Sequence, residues 1–274
     1  MDEELVQAVA THNAVLFVGA GVSRSLGLPS FSELMGELAK DLGYDTEVFE
    51  QLADPSTLAE YYDLEKRGLG ALRSRLDAAW HDPRIDIKES PLHRLITALE
   101  FPVIYTTNWD RWLEKAHEAA GLKWKGIVGV GDLKDNDLEA VQIVKYHGDF
   151  SDDDSLVLTE SSYMRRMDLS SPLDIKLRSD TLGKSILFIG YSLRDPNTRL
   201  LLFKLHELWK HTSYSTAQPK SFMVTTQPNP VQERVLKEWG VTSILADLGE
   251  TSHDGLIQAL ASLAQLSHGK TGLV

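Results

Sequence analysis

The sequence predicts an α/β fold: a Rossmann-like parallel sheet with helices on both faces and a helical insertion. Apolar runs such as Val15–Val18 alternate along the chain with longer segments whose apolar residues recur at helical spacing. The predicted strands contain few polar residues, which is typical of parallel strands buried on both faces. With 274 residues, no internal repeat and no evident linker, we expect one domain spanning residues 1–274.

The N-terminal half is predicted to contain two strands separated by a helical insertion. A short helix at residues 3–12 leads into the strand Val15–Val18, which ends at a glycine turn. The apolar spacing of Phe31–Leu42 predicts a helix, and a serine at its start can cap it. Approximately residues 46–98 predict further helices, because nothing there alternates like a strand. The second strand is Pro102–Thr106.

The alternation of strands and helices continues in the second half. A helix runs to about residue 120, and a polar loop then leads to a strand near Val141–Tyr146. Leu156–Leu158 predicts a short strand, and residues 160–182 predict a second helical insertion. The remaining predicted strands are Lys184–Ile189, Phe222–Thr225 and Val241–Leu245, and the remaining helices are approximately 195–211, 230–239 and 254–266.

The composition excludes several classes of protein and site. The formal net charge is −12 and no long basic run occurs, which disfavours direct binding to nucleic acid. No segment reaches the roughly 18 apolar residues that span a bilayer, and no signal peptide is evident, so we expect a cytoplasmic protein without membrane contact. The absence of cysteine excludes disulfides, thiolate zinc sites and cysteine nucleophiles, and we expect no metal.

Polar or glycine-rich clusters follow four of the predicted strands directly. Ligands of an open parallel sheet bind beyond the carboxyl ends of its strands, so we expect the clusters to meet there. Glycine lets a ligand approach the backbone, and N–H groups at a helix start favour a phosphate. The site would suit a dinucleotide, with Asn108 and His147 near a ribose. The clusters are Gly19-Ala20-Gly21-Val22-Ser23, Thr106-Thr107-Asn108-Trp109-Asp110, Tyr146-His147-Gly148 and Gly190-Tyr191-Ser192.

The four clusters together are more specific than any one of them. Arg24 occupies the place of the third glycine in the dinucleotide fingerprint, so the first turn alone is weak evidence for a redox dehydrogenase. In combination and order, the clusters resemble the sirtuin (silent information regulator) family. The similar segments are residues 19–31 (sirtuin GAG-I-S-x-x-S-G-I-P-D-F-R, without the final arginine), 106–110 (T-Q-N-I-D), 147–148 (H-G) and 190–193 (G-T-S-L).

The chain also departs from the deacylase sirtuins. It lacks their cysteine zinc module, and nothing in residues 149–158 resembles their F-G-E strand. Ser32 and Thr107 replace their arginine and glutamine. These departures point away from peptide deacylation, and the chain resembles the sirtuin-like NADases of bacterial antiphage defence. That resemblance implies hydrolysis of NAD+ to ADP-ribose and nicotinamide, which depletes the NAD of an infected cell.

The resemblance implies a role for each residue of the site. Asn108 would orient the ribose and the attacking water, and His147 would hydrogen-bond the ribose hydroxyls and act as general base. Asp110 would hold the nicotinamide carboxamide, and Phe31 would cover the pyridinium. Further contacts to the pyrophosphate of NAD are expected from Gly19, Ala20, Gly21 and Ser23. Contacts near adenosine are expected from Gly190, Ser192, Thr225 and Asn229, and Asp247 is a weaker candidate there. Thr107 is also expected to contact NAD.

Other interpretations remain open at this point. The chain could be an NAD-dependent protein deacylase without the zinc module, or a non-catalytic sensor of NAD or ADP-ribose. Asp110 could be a solvent-facing acid favoured by the helix dipole. Arg194–Asn197 could form part of the cofactor wall or an ordinary turn and helix cap.

Regulation is expected, because an unregulated NADase would kill its host. Only Ser267–Val274 follow the last predicted helix, which leaves no room for a sensor domain, so we expect control in trans. The resemblance is greatest to the short stand-alone NADases. It implies a homo-oligomer that assembles with a HerA-type DNA-translocating ATPase.

Overall fold

The computed structural model of the protein describes residues 1–134, 137, 139–193, 195–213, 217–246 and 252–271. The strands among these residues are β1 (Ala14–Val18), β2 (Val103–Thr106), β3 (Trp124–Ile127), β4 (Val141–Lys145), β5 (Ser185–Ile189), β6 (Ser221–Thr225) and β7 (Val241–Leu245). Within the described residues they form one sheet of seven strands in the order β3-β4-β2-β1-β5-β6-β7. Every neighbouring pair is parallel, as predicted.

Helices connect the strands and cover both faces of the sheet. The α-helices of the first half are α1 (Glu3–Ala10), α2 (Ala20–Arg24), α3 (Phe31–Leu42), α4 (Thr46–Leu52), α5 (Pro55–Lys66), α6 (Gly70–Trp80), α7 (Pro91–Ala98) and α8 (Trp112–Ala119). Those of the second half are α9 (Glu160–Met164), α10 (Pro172–Thr181), α11 (Pro196–Lys210), α12 (Pro230–Glu238) and α13 (Ser252–Thr271). None of the described helices is both long and apolar enough to cross a membrane.

The side chains of the central strand alternate between two cores, one on each face of the sheet. Leu16 and Val18 lie in the core shared with α1, α7 and α13. Val15 and Phe17 lie in the core shared with α10, α11 and α12. Because both faces are covered, all five residues of β1 are buried, and each large aliphatic side chain contributes about 1.5–3 kcal/mol by leaving water. This burial explains the uniformly apolar strands of the sequence.

A third core forms within the helices that precede β2. It contains Leu38, Phe49 and Tyr62 from α3, α4 and α5. Trp109 and Phe150, from the loops after β2 and β4, are buried in the same core. The helices between α3 and β2 therefore hold two loops at the carboxyl edge of the sheet.

Two details of the predicted strand pattern were wrong. Leu156–Leu158 is not a strand, because Leu156 and Leu158 are buried in the third core, where hydrophobic packing rather than strand pairing accounts for the apolar run. β3 lies in a segment that was predicted to be a polar loop. It is an edge strand that contains lysine and glycine and is only partly buried, so the apolar signal of the inner strands is missing.

The two predicted helical insertions are helical in the structure. Residues 46–98 contain α4 to α7, and residues 160–182 contain α9 and α10. The single-domain organisation stays a prediction.

Candidate active site

The strand order places the predicted clusters at one edge of the sheet. The chain leaves β1 towards β2 on one side and later returns to β5 on the other, so β1 lies beside the topological switch point. Ligands of doubly wound sheets bind at such a point, beyond the carboxyl ends of the strands. The turn after β1 lies between the loop after β2 and the turn after β5, and the loop after β4 is next to that of β2.

Two glycines allow the turns after β1 and β5 to touch. Gly190 has a φ of +58°, and a Cβ there would lie 2.6 Å from the backbone nitrogen of Val22. Gly21 donates its N–H to the carbonyl of Gly190 over 2.9 Å, and Gly19 donates to that of Ile189 over 2.9 Å. These two amides therefore bond the protein itself in the structure. Their predicted contact with a pyrophosphate, like that of Ala20, stays a prediction.

Ser23, Asn108 and Asp110 form a hydrogen-bonded group that we call the Asn108 cluster. The Asn108 side-chain amide donates to the carbonyl oxygen of Gly19 over 3.1 Å and to the Ser23 hydroxyl oxygen over 2.9 Å. The Ser23 hydroxyl in turn donates to Asp110 Oδ2 over 2.7 Å. The structure thus brings three of the predicted site residues together, and these contacts fix the orientation of the Asn108 amide.

Asp110 lies inside the protein. It is only 4% exposed, so the alternative of a solvent-facing acid is wrong. Its Oδ2 accepts from Ser23, and its Oδ1 accepts the backbone N–H of Trp112 over 3.2 Å at the start of α8. This geometry gives Asp110 a positioning role for the Asn108 cluster. Its predicted contact with the nicotinamide carboxamide stays a prediction.

His147 follows β4 and is 4% exposed. Its ring stacks on Tyr146 at 5.7 Å and meets the ring of Tyr163 edge-on at 5.5 Å. Among the described residues, Nε2 has no hydrogen-bond partner and lies 3.7 Å from Asp195 Oδ2. Burial lowers the pKa of His147 to about 4, although the Asp195 carboxylate opposes this shift. The imidazole is therefore neutral near pH 7, and its predicted role as general base stays a prediction.

Trp109 joins the loops that carry Asn108 and His147. Its indole N–H donates to the backbone carbonyl of His147 over 3.0 Å. Its ring stacks on Trp80 of α6 with the centroids 6.0 Å apart. The loop after β2 is therefore held both by the loop after β4 and by the helices before β2. The sequence marks Trp109 only as part of a motif, and this contact was not predicted.

Lys145 makes a second connection between the same loops. Its ammonium group is buried, donates to the backbone carbonyl of Asp110, and lies 3.4 Å from Asp149 Oδ2 and 3.5 Å from Glu114 Oε1. Burial raises the pKa of the Glu114 carboxyl, while Lys145 opposes that rise. Removing one partner of a buried ion pair costs about 3–5 kcal/mol. A lysine at the end of an apolar strand was the available signal for this group, and it was missed.

The segment with α9 and α10 is anchored beside His147. The Arg166 guanidinium lies 3.9 Å from the centre of the Tyr146 ring and pairs with Asp174 over 2.6 Å. The Tyr146 hydroxyl also donates to Asp174, over 2.7 Å. These contacts hold Tyr163 of α9 against the His147 ring. The sequence carried no signal for this arrangement beyond the helical spacing of residues 160–182.

The other predicted contact residues make no hydrogen bond to the Asn108 cluster among the described contacts. Phe31 is the first residue of α3 and is 43% exposed, and Thr107 is half-buried. The carbonyl of Ser192 accepts from the Gln232 side chain over 2.7 Å, and Asn229 caps α12. Thr225 ends β6 at the same edge of the sheet. The predicted roles of these residues stay predictions, and Asp247 lies outside the described residues.

Comparison with protein families identifies the group to which the chain belongs. More than half of the chain, residues 102–244, matches the family described as SIR2-like domain. The chain belongs to the SIR2-like domain family. Among the described residues, no group of three or more His, Cys, Asp or Glu side chains is arranged to hold a metal ion. Asn108 and His147 both lie in the part of the chain that matches this family.

Several curated relatives are similar to most of the chain. The NAD(+) hydrolase ThsA of Enterococcus faecium is 32% identical over 198 residues, which cover 72% of this chain and 40% of that protein. The NAD(+) hydrolase ThsA of Bacillus cereus (strain MSX-D12) is 27% identical over 76% of this chain and 43% of that protein. Defense-associated sirtuin 2 of Bacillus subtilis is 25% identical over 85% of this chain and 23% of that protein. The chain therefore matches less than half the length of each of these relatives.

Solved structures of Sir2 homologues share the fold. One mutant Sir2 homologue in complex with ADP-ribose has a TM-score of 0.53 and 15% identity, covering 100% of this chain and 99% of that one. A second such complex has a TM-score of 0.52 and 16% identity, with the same coverage. The likeness confirms the predicted Rossmann-like architecture.

Proposed function

We propose that the chain hydrolyses NAD+ to ADP-ribose and nicotinamide and acts as an antiphage effector that depletes cellular NAD. The observation that carries the proposal is that Asn108, in a fixed hydrogen-bonded cluster, and His147, a buried neutral base, follow neighbouring strands at one edge of the sheet. The relatives named NAD(+) hydrolase ThsA and defense-associated sirtuin support the same activity and setting.

The proposed reaction replaces the bond between the ribose and nicotinamide by a bond to water. The bond breaks through an oxocarbenium-like state, so the protein must orient the ribose, exclude stray water and direct one water to the anomeric carbon. Asn108 orients the ribose and that water, since its amide is already held by Ser23. His147 accepts the proton that the attacking water loses. Nicotinamide leaves with the bonding electron pair, which neutralises its pyridinium.

Chromatography of nicotinamide released from NAD+ tests the proposal. The purified chain should release nicotinamide without any peptide, and the variants Asn108→Ala and His147→Ala should release it at least about 100-fold more slowly. Release that depends on an added acyl-lysine peptide would indicate a deacylase instead. Binding of NAD+ without turnover, alone and with the proposed partner, would indicate a sensor and overturn the hydrolase proposal.

Assembly and location form a further part of the proposal. The chain would act in the cytoplasm as a homo-oligomer, regulated by a HerA-type ATPase that contacts DNA in its place. Support comes from the resemblance to short stand-alone sirtuin-like NADases. Size-exclusion chromatography with light scattering should show an oligomer, and co-purification with the ATPase should show a stable complex. A monomer at micromolar concentration would contradict the oligomer.

A further inference from the structure

Asp195 lies beside His147 although the two residues follow different strands. His147 follows β4, and Asp195 precedes α11 in the loop after β5. The distance from His147 Nε2 to Asp195 Oδ2 is 3.7 Å, and the two side chains are 5% and 11% exposed. Among the described residues, no lysine or arginine nitrogen lies within 4.0 Å of this carboxylate, so the imidazole is its described ion-pair partner.

The Asp195 carboxylate is held firmly at this position. Its Oδ1 accepts the backbone N–H of Asn197 over 3.3 Å, and its Oδ2 accepts that of Thr198 over 3.0 Å, which caps α11. The hydroxyl of Tyr191 donates to Oδ2 over 3.0 Å, and the hydroxyl of Thr198 donates to it as well. The two N–H groups and the Thr198 hydroxyl therefore fix the carboxylate at this position, and the Tyr191 hydroxyl, which also lies 3.0 Å from the Thr198 hydroxyl, supports it.

Asp54 provides an internal comparison, since the same local sequence occurs there. The pattern Asp-Pro-x-Thr begins a helix at both places, as Asp54-Pro55-Ser56-Thr57 and as Asp195-Pro196-Asn197-Thr198. Asp54 also accepts the backbone N–H groups two and three residues ahead, over 3.1 and 3.3 Å, and the threonine hydroxyl. However, Asp54 is exposed, and the described ion pairs include none with a histidine there. Helix capping therefore explains why an aspartate occurs at both positions, but it does not explain why the His147 ring lies beside Asp195.

Other charges near His147 largely compensate one another. Arg166 disfavours the protonated ring, whereas Asp174 favours it. These two groups pair directly with each other over 2.6 Å, so their opposing effects act from nearly the same place. Asp195 is the remaining carboxylate that faces the ring.

We propose that Asp195 is a positioning residue for the proposed NAD+ hydrolysis, and that it accepts a hydrogen bond from Nε2–H of His147. This bond would keep the proton on Nε2 and leave the lone pair on Nδ1. In many histidine sites the hydrogen bond made by one ring nitrogen determines the protonation of the other in this way. Nδ1 then takes the proton of the attacking water, and the carboxylate stabilises the resulting imidazolium. Catalytic hydrogen bonds often tighten only in the complex with substrate, so a separation of 3.7 Å is compatible with this role.

Two substitutions of Asp195 in the full chain test this inference. Serine also caps helices but is too short to reach the ring, so Asp195→Ser should lower kcat for NAD+ about 100-fold with KM changed less than about threefold. Asp195→Asn keeps an acceptor oxygen but removes the charge, so it should lower kcat about 10-fold. Asp54→Ser removes the matched carboxylate while serine keeps the helix cap, so it should leave kcat at the wild-type value.

The tautomer of His147 gives a readout that does not depend on turnover. In wild-type protein, nitrogen NMR of labelled histidine should show the His147 proton on Nε2, and Asp195→Ser should lose that preference. A wild-type kcat in Asp195→Ser, an equal loss in Asp54→Ser, or a wild-type tautomer with the proton on Nδ1 would each overturn the inference. If no variant and not even the wild type hydrolyses NAD+, the proposed function fails, whereas the tautomer still decides whether the pair exists.

Discussion

Asn108 and His147 lie at the same edge of the sheet, but their surroundings differ. The Asn108 amide donates to two acceptors and is connected through Ser23 to Asp110. The Nε2 atom of His147 is buried without a hydrogen-bond partner among the described residues. A buried polar atom without a hydrogen bond costs about 1–3 kcal/mol, so such atoms are rare in native proteins and often have a functional role. The contrast indicates that Asn108 lies on a fixed side of the site with its hydrogen bonds complete, whereas on the reactive side His147 Nε2 is left for the proposed bond to Asp195.

Replacing His147 tests the reactive side and should have the largest effect. In His147→Ala the general base is lost, so we expect kcat for NAD+ to fall about 1,000-fold, with NAD+ binding by calorimetry nearly unchanged. His93 is a matched control, because it is 1% exposed, its Nε2 has no partner among the described residues, and burial lowers its pKa to about 4. His93→Gln should keep wild-type turnover. Equal losses in both variants would mean that the two histidines matter only for folding.

Replacing Asn108 tests the fixed side. Asn108→Ala removes the group that orients ribose and water, and we expect kcat to fall about 100-fold. It also removes the Asn108 donor from the Ser23 hydroxyl and one of the two donors to the Gly19 carbonyl, which should lower the free energy of unfolding by about 1–2 kcal/mol. Turnover and urea denaturation measure the two effects. A stability loss with wild-type turnover would show that the cluster only holds the fold together.

The positions of Asn108 and His147 could be predicted because topology determines them. Both follow apolar strands, and the carboxyl ends of parallel strands share an edge whatever the loops do. The strand pattern was less predictable at β3 and at Leu156–Leu158. At β3 the edge position leaves the strand without an apolar signal, and at Leu156–Leu158 burial in the third core produces an apolar run that is not a strand.

The supporting contacts could not be predicted from the sequence. Asp54 and Asp195 carry the same local Asp-Pro-x-Thr signal, yet only Asp195 is described beside a histidine. Lys145 reaches the Asp110 carbonyl across two loops, and such a contact depends on the packing of the whole edge rather than on local spacing. Local sequence therefore indicates which residues cap a helix, but tertiary packing decides which of them face the site.

The neutral state of the buried histidines should appear as a pH dependence of stability. Burial lowers the pKa of His147 and of His93 to about 4, whereas an unfolded histidine has a pKa near 6.5. Between these values the unfolded chain binds protons that the folded chain does not, so the free energy of unfolding falls as pH falls. Between pH 7 and pH 5 each of the two rings should lower the free energy of unfolding by about 2 kcal/mol.

Urea denaturation at pH 7 and pH 5 measures this loss. Because acidic groups also titrate in this range, the informative quantity is the difference between wild type and His93→Gln. The variant should lose about 2 kcal/mol less than the wild type over the same interval. Identical losses would mean that the folded His93 ring binds a proton as readily as the unfolded one.

Ser23 connects Asn108 to Asp110 within the Asn108 cluster, and a serine on the same turn provides the control. Ser23→Ala removes the donor to the buried Asp110 carboxylate and an acceptor of the Asn108 amide, so the free energy of unfolding should fall by about 1–3 kcal/mol. Ser25 is half-buried, and its hydroxyl donates only to the carbonyl of Val22 over 2.7 Å among the described contacts. Ser25→Ala should cost less than about 1 kcal/mol. Equal costs would contradict the view that the Asn108 cluster is held by its own hydrogen bonds, because solvent would then replace the Ser23 hydroxyl as easily as that of Ser25.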